Sequence, residues 1–442
     1  MTAKWERGAA PPRGRFALLS TIAMVLCAAP GHAEIYYVDL FRGSTEGDGS
    51  RSAPWLDLQR VLDEEPLEPG DEIYLGGGEW GVLTLEGVEF DPPGLHLTSF
   101  PPETPKLDGV DIKNSRGLDL SVMIVRPGDA ERDTLVTIDA ASSDISIEEF
   151  DIFSADTTEG WSREDWRKRT VHGIRSDGSN VRISGNWLEK VKHGISSTGP
   201  NAVIEVNIIS QFTGDGIRVL GDGSVVEGND IFNCLDVSQN HDDGIQSWSL
   251  GEDGTPGEGV VRDVTIRGNF IFERRAPFVA YPCQLQGIGL FDGFFDGWTI
   301  ENNVIHASAW HGITMMGARD GVIRNNTVMG VEAAPVGPPW ISVTRHKDGR
   351  PSSNMRIVNN LMPDRTTPPS SPFEPDQPGV NWINNFHVAE PAFIFTDPER
   401  LDFSLMEGSP AIGAALPDDT PERDITGRLR QGAADLGAFD AP

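Results

Sequence analysis

The chain has 442 residues, of which 67 are Asp or Glu and 36 are Lys or Arg, so its formal net charge is −31. Hydrophobic residues make up 38% of the sequence, which is enough to bury a core and argues against a wholly disordered chain. Because a strongly acidic protein repels phosphate groups, the charge argues against binding of nucleic acids and of anionic membrane surfaces.

The N-terminus has the pattern of a secretory signal. Residues 1–15 carry four basic side chains, residues 16–29 are apolar, and small side chains precede a cut after Ala33. The apolar run is too short to span a bilayer, and no later segment is longer. We therefore expect residues 1–33 to be a signal peptide and the mature protein to be periplasmic or extracellular, without membrane insertion.

Removal of the signal leaves two cysteines, Cys234 and Cys283. In an oxidising compartment these residues can form a disulfide, and the alternative is a pair of buried free thiols. The sequence leaves both alternatives open, because spacing along the chain does not give the distance between two side chains.

A repeat of about 22 residues organises most of the chain. Seven short apolar strands end in an Asn followed by further apolar residues, and the steps between these Asn are 21, 22, 40, 34, 23 and 34 residues. The short steps are single repeats, and the long steps are repeats with insertions. The column comprises Asn186, Asn207, Asn229, Asn269, Asn303, Asn326 and Asn360. We expect these side chains to hydrogen-bond to one another along a corner of the fold.

A second column lies in phase with the first, and each of its members is followed by Gly-Ile. It comprises His172, His193, Asp215, Asp243, Gln286 and His311. Each repeat thus holds three short strands and three turns, which leaves no room for crossover helices. The pattern predicts a solenoid of stacked coils with parallel sheets running along it.

These repeats resemble the right-handed parallel β-helix of the pectate-lyase-like superfamily, over roughly residues 34–440. The resemblance implies an all-β, single-stranded solenoid that forms one domain, with a short N-terminal capping helix at about residues 56–62. Within this domain we expect a Pro- and Ser-rich loop at 363–379 and a closing segment at 380–440. The capped ends favour a monomer.

The strand after each Gly-Ile turn predicts a functional surface. If the Ile points inward, the next residue points outward, because side chains alternate along a strand. The resulting outward row is Arg175, Ser196, Arg218, Gln246, Gly289 and Thr314, with Trp248 on the same face. The resemblance implies that this face is a polysaccharide cleft. Arg matches carboxylates and Trp stacks on sugar rings, so an anionic polysaccharide is the expected partner. The predicted substrate-binding residues are Gln246, Trp248, Lys192 and Arg169.

Polar side chains are densest at residues 240–246, where His241, Asp242 and Asp243 precede a strand on this face. Neighbouring carboxylates raise one another's pKa or share a cation, and a histidine is a common base near neutral pH. The predicted bases are His241 and His193, and Arg218 and Arg175 are predicted to neutralise a uronate carboxylate. The predicted Ca²⁺ ligands are Asp215, Asp242 and Asp243. The structural alternative is that these polar residues only cap turns.

Several functions remain open. A polysaccharide lyase and a C5 epimerase share the abstraction of the proton beside a uronate carboxylate, and this chemistry is our first expectation. A glycoside hydrolase needs two or three carboxylates around the scissile bond. The pair Asp242-Asp243 is similar to the polygalacturonase arrangement, but the Arg-Ile-Lys signature of that family is absent. The remaining alternative is a noncatalytic β-helix that binds glycan or metal.

Overall fold

The computed structural model describes residues 33–128, 131–275, 279–332, 336–363 and 377–441. In these residues the chain winds into a right-handed parallel β-helix, as the repeats predict. Each full turn of this helix, called a coil below, adds strands to three long parallel sheets. The predicted signal peptide lies outside the described residues except for Ala33, and so does most of the predicted loop at 363–379.

The three sheets are parallel throughout the described residues. Sheet I has ten strands, Val82–Glu86, Gly109–Lys113, Thr134–Ile138, His172–Ser176, Ile195–Ser197, Ile217–Val219, Asp243–Trp248, Gln286–Asp292, His311–Met316 and Trp340–Thr344. Sheet II has thirteen, Ile35–Val38, Glu72–Leu75, Leu95–Ser99, Arg116–Ser121, Ser143–Glu148, Arg182–Ser184, Val203–Glu205, Val225–Glu227, Thr265–Arg267, Thr299–Glu301, Val322–Arg324, Arg356–Val358 and Asn381–Ile383. Sheet III has twelve, Gly78–Glu79, Pro105–Leu107, Ile124–Val125, Asp151–Phe153, Trp187–Glu189, Ile208–Ser210, Asp230–Phe232, Phe270–Phe272, Val304–Ala307, Thr327–Gly330, Leu361–Pro363 and Phe386–Val388.

Smaller elements complete the described part of the chain. A short parallel sheet joins Val260–Arg262, Phe294–Asp296 and Ala318–Arg319, and Phe395–Asp397 pairs with Asp402–Leu405 in the antiparallel sense. The α-helices are Leu58–Glu64 and Arg163–Arg169, and the 3₁₀ helices are Pro391–Phe393, Pro398–Arg400 and Pro417–Asp419. None of the helices in the described ranges is long and apolar enough to cross a membrane.

The core of the solenoid is a stack of branched apolar side chains. On sheet I the Ile of every Gly-Ile turn pairs in register with the Ile of the next coil, and each of these side chains is 0–1% exposed. The stack comprises Ile174, Ile195, Ile217, Ile245, Ile288 and Ile313. Branched side chains fit the pleated, closely spaced strands, so the inward orientation predicted for them is confirmed.

The Asn column forms a buried ladder between sheets II and III. The side-chain amide of each Asn donates to the side-chain carbonyl of the Asn one coil further on, at 2.8–3.0 Å. The same amides donate to the backbone of the coil before, as Asn229 does to the Ile204 carbonyl at 2.9 Å. The predicted ladder is confirmed, and it extends past Asn360 to Asn385. We call it the inner Asn column.

The two ends of the solenoid are closed differently. At the N-terminal end the helix Leu58–Glu64 lies two residues later than predicted, and Asp57 caps it by accepting the Gln59 and Arg60 N–H groups. Leu58 and Val61 are buried in the main core. At the other end Phe386–Val388 still belongs to sheet III. The chain that leaves the solenoid is therefore residues 389–441, which we call the C-terminal segment.

The C-terminal segment lies along one corner of the last coils. There the repeat carries two consecutive Asn, and the first has a left-handed backbone and an outward side chain. These outer residues form an outer Asn column that donates to carbonyls of the segment. The bonds join Asn302 to Arg423, Asn325 to Asp435, Asn359 to Leu416 and Asn384 to Ala414, at 2.7, 3.0, 3.1 and 2.8 Å. Four backbone carbonyls of the segment are thereby satisfied by side chains of the solenoid.

Candidate active site

The outward row predicted on sheet I is confirmed by the strand register. Its members lie side by side in consecutive coils, at the spacing of about 4.8 Å between neighbouring strands. The row runs Arg175, Ser196, Arg218, Gln246, Gly289 and Thr314. One sheet face therefore presents a continuous polar surface along the solenoid.

The turn column and the outward row form a single surface. A turn side chain reaches out of the corner and bonds to the outward residue three positions later. The bonds join Asp215 to Arg218, Asp243 to Gln246 and His311 to Thr314, at 2.6, 2.9 and 2.9 Å. The polar turn residues thus hydrogen-bond to side chains of the outward row, and whether they also act on a ligand stays a prediction.

Three carboxyl groups, Asp215, Asp242 and Asp243, lie in the middle of this surface and are called the carboxylate cluster. Asp215 and Asp243 are 0% exposed, and Asp242 is 5% exposed. Asp215 Oδ1 accepts the Asp243 N–H at 3.1 Å and the Asn240 Nδ2–H at 3.3 Å. Asn240 also donates to Asp242 Oδ1 at 3.4 Å. Arg218 bonds to Asp215 Oδ2 through both Nε and Nη2, each at 2.6 Å.

Burial raises the pKa of all three carboxyl groups, because a charged carboxylate is poorly solvated there. The pKa of Asp242 rises to about 8, through burial first and the neighbouring Asp215 charge second. The same two causes raise the pKa of Asp243 well above its usual value. Burial also raises the pKa of Asp215, although Arg218 opposes the shift. The cluster therefore retains a proton at neutral pH.

The predicted base His193 is a neutral ring in this site. Its Nδ1 accepts the Asp215 N–H at 2.8 Å, which places its own proton on Nε2. Burial, and secondly the Arg218 charge, lower the pKa of His193 to about 2. His172 stacks on it with ring centroids 4.9 Å apart. The 3.5 Å separation between Nδ1 and Asp215 Oδ2 is therefore not an ion pair. This histidine positions Asp215 and is too weak a base for proton abstraction.

The other predicted base, His241, is exposed at the rim of the cluster, directly before Asp242. His241 is one of the causes that lower the pKa of His311, after burial. Arg175 is exposed, and its Nη2 lies 3.1 Å from Asp177 Oδ2. The structure thus leaves His241 and Arg175 accessible to a polymer on the outward row.

Three of the predicted substrate-binding residues, Gln246, Trp248 and Lys192, lie in or next to strands of sheet I, and the fourth, Arg169, lies in a helix. Gln246 lies in the outward row, and Trp248 lies beside it with the Arg218 guanidinium 5.5 Å from its ring centroid. Lys192 is exposed next to His193, and its charge contributes to lowering the pKa of His172. Arg169 ends the helix Arg163–Arg169 and packs over the Trp161 ring at 4.4 Å. Its binding role stays a prediction.

Two positions of the predicted surface have roles that were not predicted. Asn240 bridges Asp215 and Asp242, and its place inside the dense polar segment was the signal. Gly289 interrupts the outward row because a side chain would not fit. A Cβ there would lie 2.4 Å from Asp243 Oδ1, a buried oxygen that has no hydrogen-bond partner. The glycine therefore makes room for the carboxyl group.

The segment that carries the cluster is tied down by a disulfide between Cys234 and Cys283, which resolves the alternatives that the sequence left open. The helix Arg163–Arg169 packs on the same segment, with Trp166 buried against Leu235 and Val237. Both contacts fix the path of the chain between Cys234 and the strand Asp243–Trp248.

The carboxylate cluster, as arranged here, does not fit a calcium ion. Ca²⁺ takes six to eight oxygen ligands, whereas both oxygens of Asp215 are already used by Arg218, Asn240 and a backbone N–H. Asp243 Oδ1 is the only oxygen of the cluster that is buried without a partner, and a proton can satisfy it. In the described ranges, the one set of three side chains with converging ligand atoms is Cys234, Asp242 and Cys283, and its two cysteines form the disulfide.

Comparisons with known proteins agree with the fold. The family described as right-handed beta helix region matches residues 167–328. The pectate lyase Pel9A is 14% identical, with a TM-score of 0.50 over 92% of this chain and 96% of that one. XylC, solved with xylose, is 11% identical, with a TM-score of 0.50 over 92% and 98%. A lacto-N-biosidase from Eubacterium ramulus is 14% identical, with a TM-score of 0.48 over 79% and 68%. No curated protein sequence matches the chain.

Proposed function

We propose that the protein processes an anionic, uronate-containing polysaccharide by β-elimination at the carboxylate cluster. One observation carries the proposal: the Asp242 carboxyl group, whose pKa burial raises to about 8, is bridged by Asn240 to the Asp215–Arg218 ion pair of the outward row. An acid for the leaving oxygen and a cation for the carboxylate are two of the three groups that elimination from a uronate uses, and the third is a base. The pectate lyase with this fold supports only the architecture, and the chemistry is argued from the site.

The substrate charge follows from the outward row. Arg175 and Arg218 are the cations of this row in a protein whose formal net charge is −31. Arg218 keeps 23% of its side chain exposed while it bonds to Asp215, so part of its guanidinium is open to solvent. A uronate carboxylate bound there loses part of its negative charge to the guanidinium, which makes the adjacent C–H more acidic.

The proposed reaction divides the proton transfers between two side chains. His241 takes the proton from C5, the carbon beside the carboxylate, as the C5–H bond breaks. The electron pair forms the C4–C5 double bond, and the C4–O bond to the leaving sugar breaks. Asp242 gives its proton to the leaving oxygen. The step needs no oxidant or water, and the site is used again once the two protons are exchanged with solvent. C5 epimerisation shares the first transfer and returns a proton to the other face.

The deciding experiment is a screen of the mature protein against alginate, pectate, glycosaminoglycans and bacterial exopolysaccharides. We expect ultraviolet absorbance from unsaturated uronate ends on one of these polymers. Altered C5 stereochemistry by NMR without absorbance would show an epimerase, and new reducing ends without absorbance would show a hydrolase. Saturable binding without any product would leave a noncatalytic glycan-binding protein.

Two variants test the roles assigned to His241 and Arg218, and the substrate is the polymer found by the screen. We expect His241→Ala and Arg218→Lys each to lower kcat/KM by about 100-fold or more, since each removes one transition-state interaction. The lysine keeps a positive charge near Asp215, so the fold is retained. His387→Ala and Arg267→Lys, which change exposed side chains on sheets III and II, are the matched controls. Unchanged kinetics in both site variants would contradict the mechanism.

We further propose that the protein acts outside the cytoplasm. The disulfide between Cys234 and Cys283 supports this location, because disulfides persist in oxidising compartments. The full chain is expected in the periplasmic or secreted fraction, with both mature cysteines resistant to alkylation until a reductant is added. A chain lacking residues 1–33 should stay in the cytoplasm. Retention of the full chain there would contradict the proposal.

A further inference from the structure

An exposed aromatic pair lies at the downstream end of sheet I. Trp310 is 40% exposed and stacks on Trp340, with ring centroids 5.8 Å apart and an interplanar angle of 18°. The other exposed tryptophans of the described residues are Trp187 on sheet III and Trp382 on sheet II. Trp310 is therefore the exposed tryptophan next to the sheet that carries the carboxylate cluster.

The pair is held in place by several hydrogen bonds. The Trp340 backbone N–H donates to the Trp310 carbonyl at 2.7 Å, and the Trp340 Nε1–H donates to Thr314 Oγ1 at 3.0 Å. Thr314 is in turn 2.9 Å from His311 Nδ1, and the His311 ring meets the Trp340 ring edge-on at 5.2 Å. A rigid, partly exposed ring loses little freedom when it binds a ligand.

The aromatic pair continues the line of the turn column. His311 pairs in register with Trp340, so the column that contains Asp243 and Gln286 reaches the tryptophan. Trp340 lies three coils beyond Asp243, which is about 14 Å at the spacing of neighbouring strands. A polymer that follows the outward row from the carboxylate cluster would pass over both rings.

We propose that Trp310 and Trp340 form a binding subsite for the apolar face of a pyranose ring, several sugars from the residue that reacts. The inference rests on the proposed function and deepens it. The C–H face of a pyranose packs on an aromatic ring by hydrophobic burial and dispersion, and this contact needs no charge. The charged part of the row thus selects the reacting uronate, and the tryptophans add affinity for a neighbouring sugar along the chain.

A subsite distant from the reacting bond binds the ground state and the transition state equally. Its loss should raise KM and leave kcat unchanged, and it should matter only for chains long enough to reach it. These two properties separate the subsite from a residue that acts in the reaction. They also separate it from a purely structural tryptophan, whose loss would affect substrates of every length.

The test compares Trp310→Ala with Trp187→Ala, a tryptophan of similar exposure on sheet III. On the polymer turned over by the wild-type protein, we expect the first variant to raise KM about 3- to 10-fold with kcat unchanged. The control should match the wild type. On oligosaccharides too short to reach from the cluster to Trp310, both variants should behave as the wild type. Equal KM values on the polymer, or equal losses on short and long substrates, would overturn the subsite.

A binding measurement distinguishes failure of the subsite from failure of the proposed reaction. If no polymer of the screen is turned over, affinity electrophoresis in gels containing each polymer compares the wild type with both variants. Retarded wild type and control with a less retarded Trp310→Ala would retain the subsite and reject the elimination reaction. Equal retardation of all three would overturn the subsite, and absence of any retardation would overturn both proposals.

Discussion

Asp242 is the residue whose proton decides the proposed chemistry. Its pKa of about 8 results from burial and from the nearby Asp215 charge, while Asn240 opposes the shift by donating to its carboxylate. An acid is most useful when its pKa lies near the working pH, because it is then protonated and still transfers its proton readily. The raised pKa of Asp242 is thus a result of its surroundings and not of the aspartate side chain itself.

We therefore expect the activity to fall at basic pH. Asp242 loses its proton as the pH rises through about 8, so we expect kcat to fall above that pH. Asp242→Asn cannot donate a proton and should show about 100-fold lower kcat without this basic limb. Asp230→Asn, at a half-buried carboxyl on sheet III that pairs with Arg275, is the activity control. A basic limb that persists in Asp242→Asn would assign the titration to another group.

The same shift makes a prediction about stability. The folded pKa of Asp242 lies above its ordinary value of 3.8, so the folded state holds the proton more tightly than the unfolded state. This residue therefore lowers stability progressively as the pH rises from about 4 through about 8. Thermal unfolding should show a smaller loss of Tm over that range for Asp242→Asn than for the wild type. Parallel curves would contradict the raised pKa.

Calcium gives a separate test of the carboxylate cluster. The sequence predicts that Asp215, Asp242 and Asp243 bind Ca²⁺, whereas Arg218 and Asn240 already occupy oxygens that an ion would need. We expect treatment with a chelator to leave Tm and kcat unchanged, and added Ca²⁺ to have no effect. A lower Tm after chelation, restored by Ca²⁺, would show that the cluster rearranges around an ion as the sequence predicts.

At the scale of elements, the inner Asn column links the coils more specifically than the apolar core does. Asn229 lies at its middle: its carbonyl accepts two N–H groups of Asn207, and its amide donates to Ile204 and Asn269. Replacement by Ala would leave several buried groups unpaired, and each such group costs about 1–3 kcal/mol.

We therefore expect Asn229→Ala to lower the unfolding free energy by about 3 kcal/mol or more. Asn385→Ala, at the half-buried end of the column, should lower it less because fewer groups are left unpaired. Exposed Asn381→Ala is the control with little expected change. Chemical denaturation of the three variants measures the difference. Similar losses for the middle and the end of the column would mean that the ladder adds nothing beyond local packing.

The sequence predicts the repeating elements well because every coil places equivalent residues in equivalent surroundings. The Ile stack, the Asn column and the outward row each recur often enough to reveal their phase. The insertions have no such recurrence. The bridging role of Asn240 and the pairing of Cys234 with Cys283 depend on how a single loop folds back. The neutral state of His193 depends on burial, which the dipeptide His-Gly does not encode.

At the scale of the whole molecule, different structural elements pack against the two ends of the solenoid. A short helix covers the first coils, whereas residues 389–441 lie along the side of the last coils and pack on sheet III. The helix thus covers an end of the solenoid, whereas the C-terminal segment covers one of its sides, and the monomer stays a prediction. The outward row on sheet I lies away from these contacts.

The outer Asn column has a consequence for where further coils can be inserted into this solenoid. Upstream repeats have Gly185, Val206, Gly228 or Gly268 where the last coils have the first Asn of the pair. Among the described residues, the upstream coils have no such match to the C-terminal segment, whereas the last coils are matched to it position by position. Between them, the helix Arg163–Arg169 ties the coil of His172 to the segment around Leu235 and Val237. Coil number is therefore least constrained upstream of this helix.

Duplication tests this asymmetry. A second copy of residues 95–117, inserted after Gly117, adds one coil upstream of the helix Arg163–Arg169, because Leu95 pairs in register with Leu118. We expect this product to fold with nearly unchanged Tm. A second copy of residues 304–326 shifts every later outer Asn by one coil against the C-terminal segment, and we expect a lower Tm or no folding. Equal tolerance of both insertions would contradict the matching. A lineage of such proteins can thus lengthen its solenoid in steps of one coil, upstream of the helix Arg163–Arg169, without redesigning its end.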